Sequence, residues 1–174
     1  MIQKSNPIFT LDGSWTLAYG QHGEINPSLS TMEAVKAAGL ATVPAIVPGN
    51  FELDLERAGI VPEIFYAQNI YKLYPYETMH LFYARTFTYK ADPALDDVVV
   101  FEGLDCFAQV YIDGKLVAES DNMFVPVVFD LPKLADGEHE ILVHFTPAVI
   151  FGYFLYIYLL GVMLDKNQKL LIHF

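Results

Sequence analysis

The chain has 174 residues, 53% of them hydrophobic and 18% charged, with 10 basic against 21 acidic side chains and a formal net charge of −11. That length suits one domain with a real core, burying about 70% of the unfolded surface, and the composition is too apolar for disorder. The acidic balance argues against nucleic acid and anionic lipid, which both call for Lys and Arg at the contact, and the single cysteine, Cys106, excludes an internal disulfide and any CxxC metal or redox site.

Taken in order, the chain shows strand punctuation more than helical periodicity. Residues 1–13 hold no apolar stretch long enough for a signal-peptide core, so a cytoplasmic location is expected. The Asp12-Gly13 turn introduces a strand over residues 15–19. Residues 30–38 have the spacing for two helical turns ending at Gly39, and residues 51–58 for another ending at Gly59. Residues 82–89 alternate, with Tyr83, Arg85, Phe87 and Tyr89 on one face and Ala84, Thr86 and Thr88 on the other. Val98-Val99-Val100-Phe101 reads as a short strand buried on both faces. The strongest local signal is a hairpin over residues 108–118, turning at Asp113-Gly114, a pair that tolerates the positive φ angles of a type I′ turn. Residues 124–129 and 140–145 supply two more strands, with the Asp136-Gly137 turn between them. Short strands without a β-helix-β alternation predict an all-β antiparallel sandwich.

Three stretches are more specific. The first is Val47-Pro48-Gly49-Asn50 with Leu53-Asp54-Leu55 and Ala58-Gly59-Ile60-Val61-Pro62, and the second is Phe82-Tyr83-Ala84-Arg85-Thr86-Phe87. The third runs Phe101-Glu102-Gly103-Leu104-Asp105, Ala108-Gln109-Val110-Tyr111-Ile112-Asp113-Gly114 and Asp121-Asn122-Met123-Phe124. In order and spacing they resemble the N-terminal domain of glycoside hydrolase family 2, β-mannosidases most of all, over residues 8–147. The resemblance implies a galactose-binding-like jelly-roll β-sandwich that borders the sugar pocket of a catalytic TIM barrel. That barrel is the expected partner, with carbohydrate as the ligand class. Family chemistry needs two carboxylates ~5 Å apart. The family's acid/base glutamate follows an asparagine, and the chain has no Asn-Glu dipeptide. The family's Gly-Trp-Asp-Trp segment is also missing, since Trp15 is the only tryptophan and matches the opening motif. No catalytic residue carries over, and the chain alone is expected to be inactive.

The carbohydrate-facing candidates are Asn50, Asp105 and Asn122, each with a structural alternative. Asn50 and Asn122 suit the satisfaction of local backbone groups, and Asp105 suits an Asx turn. The five histidines show no HxH or HExxH spacing, so no metal site and no cofactor is expected. His144 reads as a sheet residue, Arg85 as the partner of a neighbouring acid, and Cys106 as a buried small hydrophobe. Asp92, Asp96, Asp97, Glu138 and Glu140 read as solvated acids.

The pattern changes at residue 148. The first 147 residues carry 20 acids and 8 bases, whereas residues 145–164 carry no charge over 20 positions. The stretch is long enough for a bilayer, which takes about 20 apolar residues, but Tyr153, Tyr156 and Tyr158 fall inside it, not at its ends. Packing of residues 149–160 on the sandwich, sequence foreign to the family, and a membrane segment are the three readings. The domain expectation is therefore a β-sandwich over residues 1–147, lacking a strand or two, and an apolar tail over 148–174. For the whole chain the readings are a fragment of a β-mannosidase-like enzyme, a stand-alone carbohydrate-binding module, and a membrane-anchored interaction domain.

Overall fold

The hairpin at Asp113-Gly114 forms as its sequence dictates: φ is 48° at Asp113 and 76° at Gly114, the paired positive angles of a type I′ turn. A Cβ on Gly114 would stand 3.0 Å from the Thr31 methyl, so the site rejects side chains for space as well as for backbone angle. A computed structural model describes residues 9–92 and 97–150. The tail from residue 151, with the three readings made for it, and Asp96 lie outside the described residues. In chain order the described elements are β1 (Gly13–Gln21), α1 (Met32–Ala37), β2 (Ala41–Val47), α2 (Phe51–Arg57), a 3-10 helix (Asn69–Tyr76), β3 (Met79–Tyr89), β4 (Val98–Phe101), β5 (Phe107–Ile112), β6 (Lys115–Ser120), β7 (Val127–Asp130) and β8 (Gly137–Thr146).

The strands pair antiparallel in a six-stranded sheet of order β2-β1-β3-β8-β5-β6 and a two-stranded sheet β4-β7. One face of the large sheet presents Trp15, Leu17, Tyr83, Val110, Ile141 and Val143. It is covered by Leu55 of α2, by Val61, Ile64 and Leu73 from the connection after it, and by Phe101 and Phe129 of the small sheet. The other face presents Ala18, Phe82, Ala84, Tyr111 and Leu142 beneath Met32 and Val35 of α1. Each large side chain fully buried here stabilises the fold by about 1.5–3 kcal/mol before ordering costs.

Both helices begin on side-chain caps. The Thr31 hydroxyl accepts from the Ala34 N–H at 3.2 Å, and the Glu140 carboxylate on β8 accepts from the Met32 N–H at 3.0 Å. α1 is thereby fixed to the sheet as well as started. The Asn50 side-chain oxygen accepts from the Leu53 N–H at 3.1 Å and starts α2.

Several expectations need correction. The run over residues 98–101 is not buried on both faces: Val98 is 51% and Val100 57% exposed, while Val99 and Phe101 turn inward. The small sheet has one covered face, and four apolar residues carry no signal that separates the two cases. The alternation over residues 82–89 holds only from Arg85 onward, because His80, Phe82, Tyr83 and Ala84 are all buried; α1 closes the second face of β3. The strand expected over residues 124–129 starts at Val127, and Phe124 stays 85% exposed ahead of it. Among the described residues Arg85 pairs with no acid. Its guanidinium donates to the carbonyls of Leu11 and Asp12, both at 2.7 Å. Cys106 is half-buried, with burial and the nearby Asp105 raising its thiol above the ordinary range.

Candidate functional site

The first two sequence stretches meet at a buried carboxylate. Asp54 lies on the inward face of α2 and is fully buried. One carboxylate oxygen accepts from the Ile46 N–H at 3.1 Å and pairs with the Arg57 guanidinium; the other accepts from the Tyr83 hydroxyl at 2.9 Å. Burial and then the Asp54 charge push the Tyr83 hydroxyl far above the ordinary tyrosine range. It therefore serves as a fixed hydrogen-bond donor, not as an acid. The first stretch is also braced internally, since Glu56 accepts from the Ile64 N–H at 3.0 Å.

The third stretch bears on the first electrostatically, through the Asp105 carboxylate. Burial raises the Glu52 carboxyl above its ordinary value, and Asp105 and Asp54 raise it further against a lowering by backbone N–H. Asp105 is exposed, in the connection between β4 and β5. A Cβ on Gly103 would lie 2.9 Å from the Met123 carbonyl, so the segment carrying Asp105 rests against the turn carrying Asn122. The exposed Asp105 carboxylate and the partly desolvated Glu52 carboxyl each suit the acceptance of hydroxyl hydrogen bonds.

Of the three candidates, Asn50 and Asn122 spend their side-chain oxygens on backbone: Asn50 caps α2, and Asn122 accepts from the Phe124 N–H at 3.0 Å. Asp105 is exposed, and its charge helps to raise the Glu52 carboxyl. Sequence reading gave no role to Glu52, Asp54 or Tyr83. The available signal was Asp54 itself, a carboxylate between Leu53 and Leu55 on the apolar side of a helix, where an acid is rarely left without partners.

The family model for the glycosyl hydrolase 2 galactose-binding domain-like fold matches residues 21–153. The chain belongs to this family. Among relatives of the glycosyl hydrolase 2 domain, the chain is 31% identical over 107 residues to "Beta-mannosidase B" of Thermothelomyces thermophilus, covering 60% of this chain and 12% of the relative. It is 31% identical over 123 residues to "Beta-mannosidase A" of Emericella nidulans, covering 67% of this chain and 12% of the relative. A solved β-D-mannosidase from Dictyoglomus thermophilum superposes with a TM-score of 0.65 at 24% identity, over 94% of this chain and 17% of that one. A β-glucuronidase from Bifidobacterium dentium follows at 0.53 and 23% identity, over 83% and 21%. These two likenesses concern the fold, an all-β galactose-binding-like sandwich. The chain spans about an eighth of the length of the curated relatives it matches.

Proposed function

We propose that this glycosyl hydrolase 2 domain is a non-catalytic part of a β-mannosidase-like glycosidase, packing on a catalytic barrel and shaping the rim of its sugar pocket. The observation that carries the reading is the match to the N-terminal domain family over residues 21–153, in a chain that aligns with only 12% of β-mannosidase B. In this reading Asp105 and Glu52 face the glycan side as hydroxyl acceptors. Asn50 and Asn122 hold the loops that present them. Retaining glycoside hydrolysis takes an acid/base and a nucleophile on opposite sides of the scissile bond, and the barrel supplies both.

Incubation of the chain with nitrophenyl β-mannoside tests this. Turnover is expected at the level of a mock-purified control across the pH range. Turnover above it that disappears on Glu52→Gln or Asp105→Asn overturns the reading. A second reading, a stand-alone carbohydrate-binding module, is favoured by the exposed Tyr71 and Tyr74, whose ring centroids stand 5.6 Å apart on the 3-10 helix. Calorimetric titration with mannobiose separates the two, since saturable binding lost on Tyr74→Ala favours the module.

A further inference from the structure

Three strands bring a histidine each to one corner of the large sheet. His22 follows β1, His80 lies near the start of β3, and His144 near the end of β8. Nδ1 of His22 is 3.0 Å from Nε2 of His80, and Nδ1 of His80 is 2.8 Å from Nε2 of His144. The rings stack in sequence with centroids 5.2 and 5.0 Å apart, and Phe82 lies flat on His144 at 4.4 Å and 8°. His22 is exposed at the outer end, whereas His80 and His144 are buried. At the inner end, Nδ1 of His144 is buried and has no hydrogen-bond partner among the described residues.

The protons on this chain can be counted. Each link consumes one N–H and one lone pair. Three neutral rings carry three protons, so two fill the links and the third sits at one end. With the third proton outward, on His22 Nε2, water satisfies it and His144 Nδ1 remains a bare lone pair. With it inward, a buried N–H is orphaned, the costlier of the two faults. A fourth proton fills both ends and forces that orphan, and it adds a charge to the stack of rings. A fifth has no place unless a link breaks.

We propose that His22, His80 and His144 form an acid-sensitive clasp on the β1–β3–β8 corner, closed as three neutral imidazoles and opened by protonation. Burial and the neighbouring imidazole hold both His80 and His144 down to about 4. Among the described residues no carboxylate contributes to either shift. The exposed Glu24 and Glu77 flank the corner in sequence but act on neither ring. Opposite His80 on β1 stands Gly20, under Ile25 and Leu40. Opposite His144 on β8 stand Phe82 on β3 and Gln109 on β5. Gln109 donates to Glu119 of β6 and accepts from the Tyr111 hydroxyl. Glu33 and Lys36 of α1 line an open hollow with Arg85 and Glu140, beside Thr16 and Ala84 further along the same face. Unfolded histidine takes up protons near its ordinary value of about 6.5, and the closed clasp only near 4. Corner stability is therefore present above that window and is lost as pH falls through it.

Amide hydrogen exchange on the full chain, corrected for the intrinsic rate and run near pH 7 and near pH 5, reads the clasp directly. Protection of residues 80–82 and 143–145 is expected to fall at least about tenfold more than that of the β5–β6 hairpin, the effect of roughly one pKa unit. Equal losses in both places overturn the proposal. In His144→Leu, which removes one of the two buried rings and the orphaned nitrogen, the excess loss should shrink, leaving only the share that His80 carries by its own burial; an undiminished loss in the folded variant also overturns it. Should that variant not fold, the ring nitrogen chemical shifts of the wild-type chain decide. Neutral rings at His80 and His144 down to about pH 5 support the clasp, and an imidazolium signal from either near pH 6 sinks it.

Discussion

The Tyr83 hydroxyl donates to the buried carboxylate of Asp54 across 2.9 Å, tying β3 to α2. The same carboxylate accepts from the Ile46 N–H of β2, so one side chain fastens three elements from two of the family's sequence stretches. A buried acid in this position holds shape, and its value is felt when it is removed.

Asp54→Ala leaves the Tyr83 hydroxyl and the Ile46 N–H without acceptors. An unsatisfied buried donor costs about 1–3 kcal/mol; the Tyr83 hydroxyl is buried and the Ile46 N–H only partly so, for a loss of about 2–4 kcal/mol. Arg57 adds little, since its side chain is 45% exposed and recovers water. Tyr83→Phe should cost about 1–2 kcal/mol, because only one bond is lost. Urea denaturation with unchanged slope checks both, and an Asp54→Ala variant as stable as the parent chain removes the bracing role.

Asn50→Ala should cost about 1 kcal/mol of stability through loss of the α2 cap. Thr31→Ala at α1 should cost a similar amount by the same mechanism. A calorimetric scan of both variants measures this. An Asn50→Ala chain that melts like the parent would return Asn50 to the list of free, glycan-facing side chains.

The turn pair Asp113 and His139 predicts a pH dependence of opposite sense to the histidine clasp. Asp113 is pushed up by burial, but the Glu140 N–H, the His139 ring and Lys115 outweigh this and hold it below its ordinary value. The His139 ring is raised by its hydrogen bond to Asp113, 2.6 Å away, and then by the Ala135 carbonyl. The carboxylate's contribution is present above its ordinary value of 3.8 and lost as pH falls through its lowered one. The imidazolium's contribution is full below 6.5 and lost as pH rises through the raised value. Since Asp113 is 43% exposed, the pair is worth about 0.5 kcal/mol. His139→Gln should therefore destabilise the chain more near pH 5.5 than near pH 8.5, as read by denaturation midpoints. Equal effects at both would show the pair to be uncharged.

Gly114→Ala should destabilise by about 1–2 kcal/mol, since φ is 76° there and the new methyl would press on Thr31. A hairpin dispersion in the amide NMR spectrum that survives the substitution without loss of stability would contradict the tight fit.

What was legible in the sequence was local. The Asp113-Gly114 turn, the Asn50 cap ahead of α2 and the glycines after both helices are determined by neighbours within four residues, and they are where the structure places them. β2 was missed because Thr42, Pro44 and Ala45 dilute its apolar pattern; Pro44 is tolerated there on an edge strand. The 3-10 helix over Asn69–Tyr76 has Pro75 inside it and no side-chain cap, so it left no start signal. Asp54 with Tyr83, and His22 with His80 and His144, are products of register between distant strands. His80 faces Gly20 across one ladder, and His144 faces Phe82 across the next. Nothing within reach along the chain encodes those meetings.

The strand order also fixes when the domain can come into being. β2-β1-β3 forms one half of the large sheet and β5-β6 the other, and β8, the last described strand, joins them. Leu81 must wait for Phe145, and Ala108 pairs with that same residue from the opposite side. Until β8 is made, β3 and β5 each present an open, apolar-faced edge to the surroundings. Joining partners so far apart in sequence is slow, on the order of milliseconds to seconds for β-rich topologies. Molecular chaperones that shield strand edges would therefore matter most for this domain in the interval before β8 is synthesised.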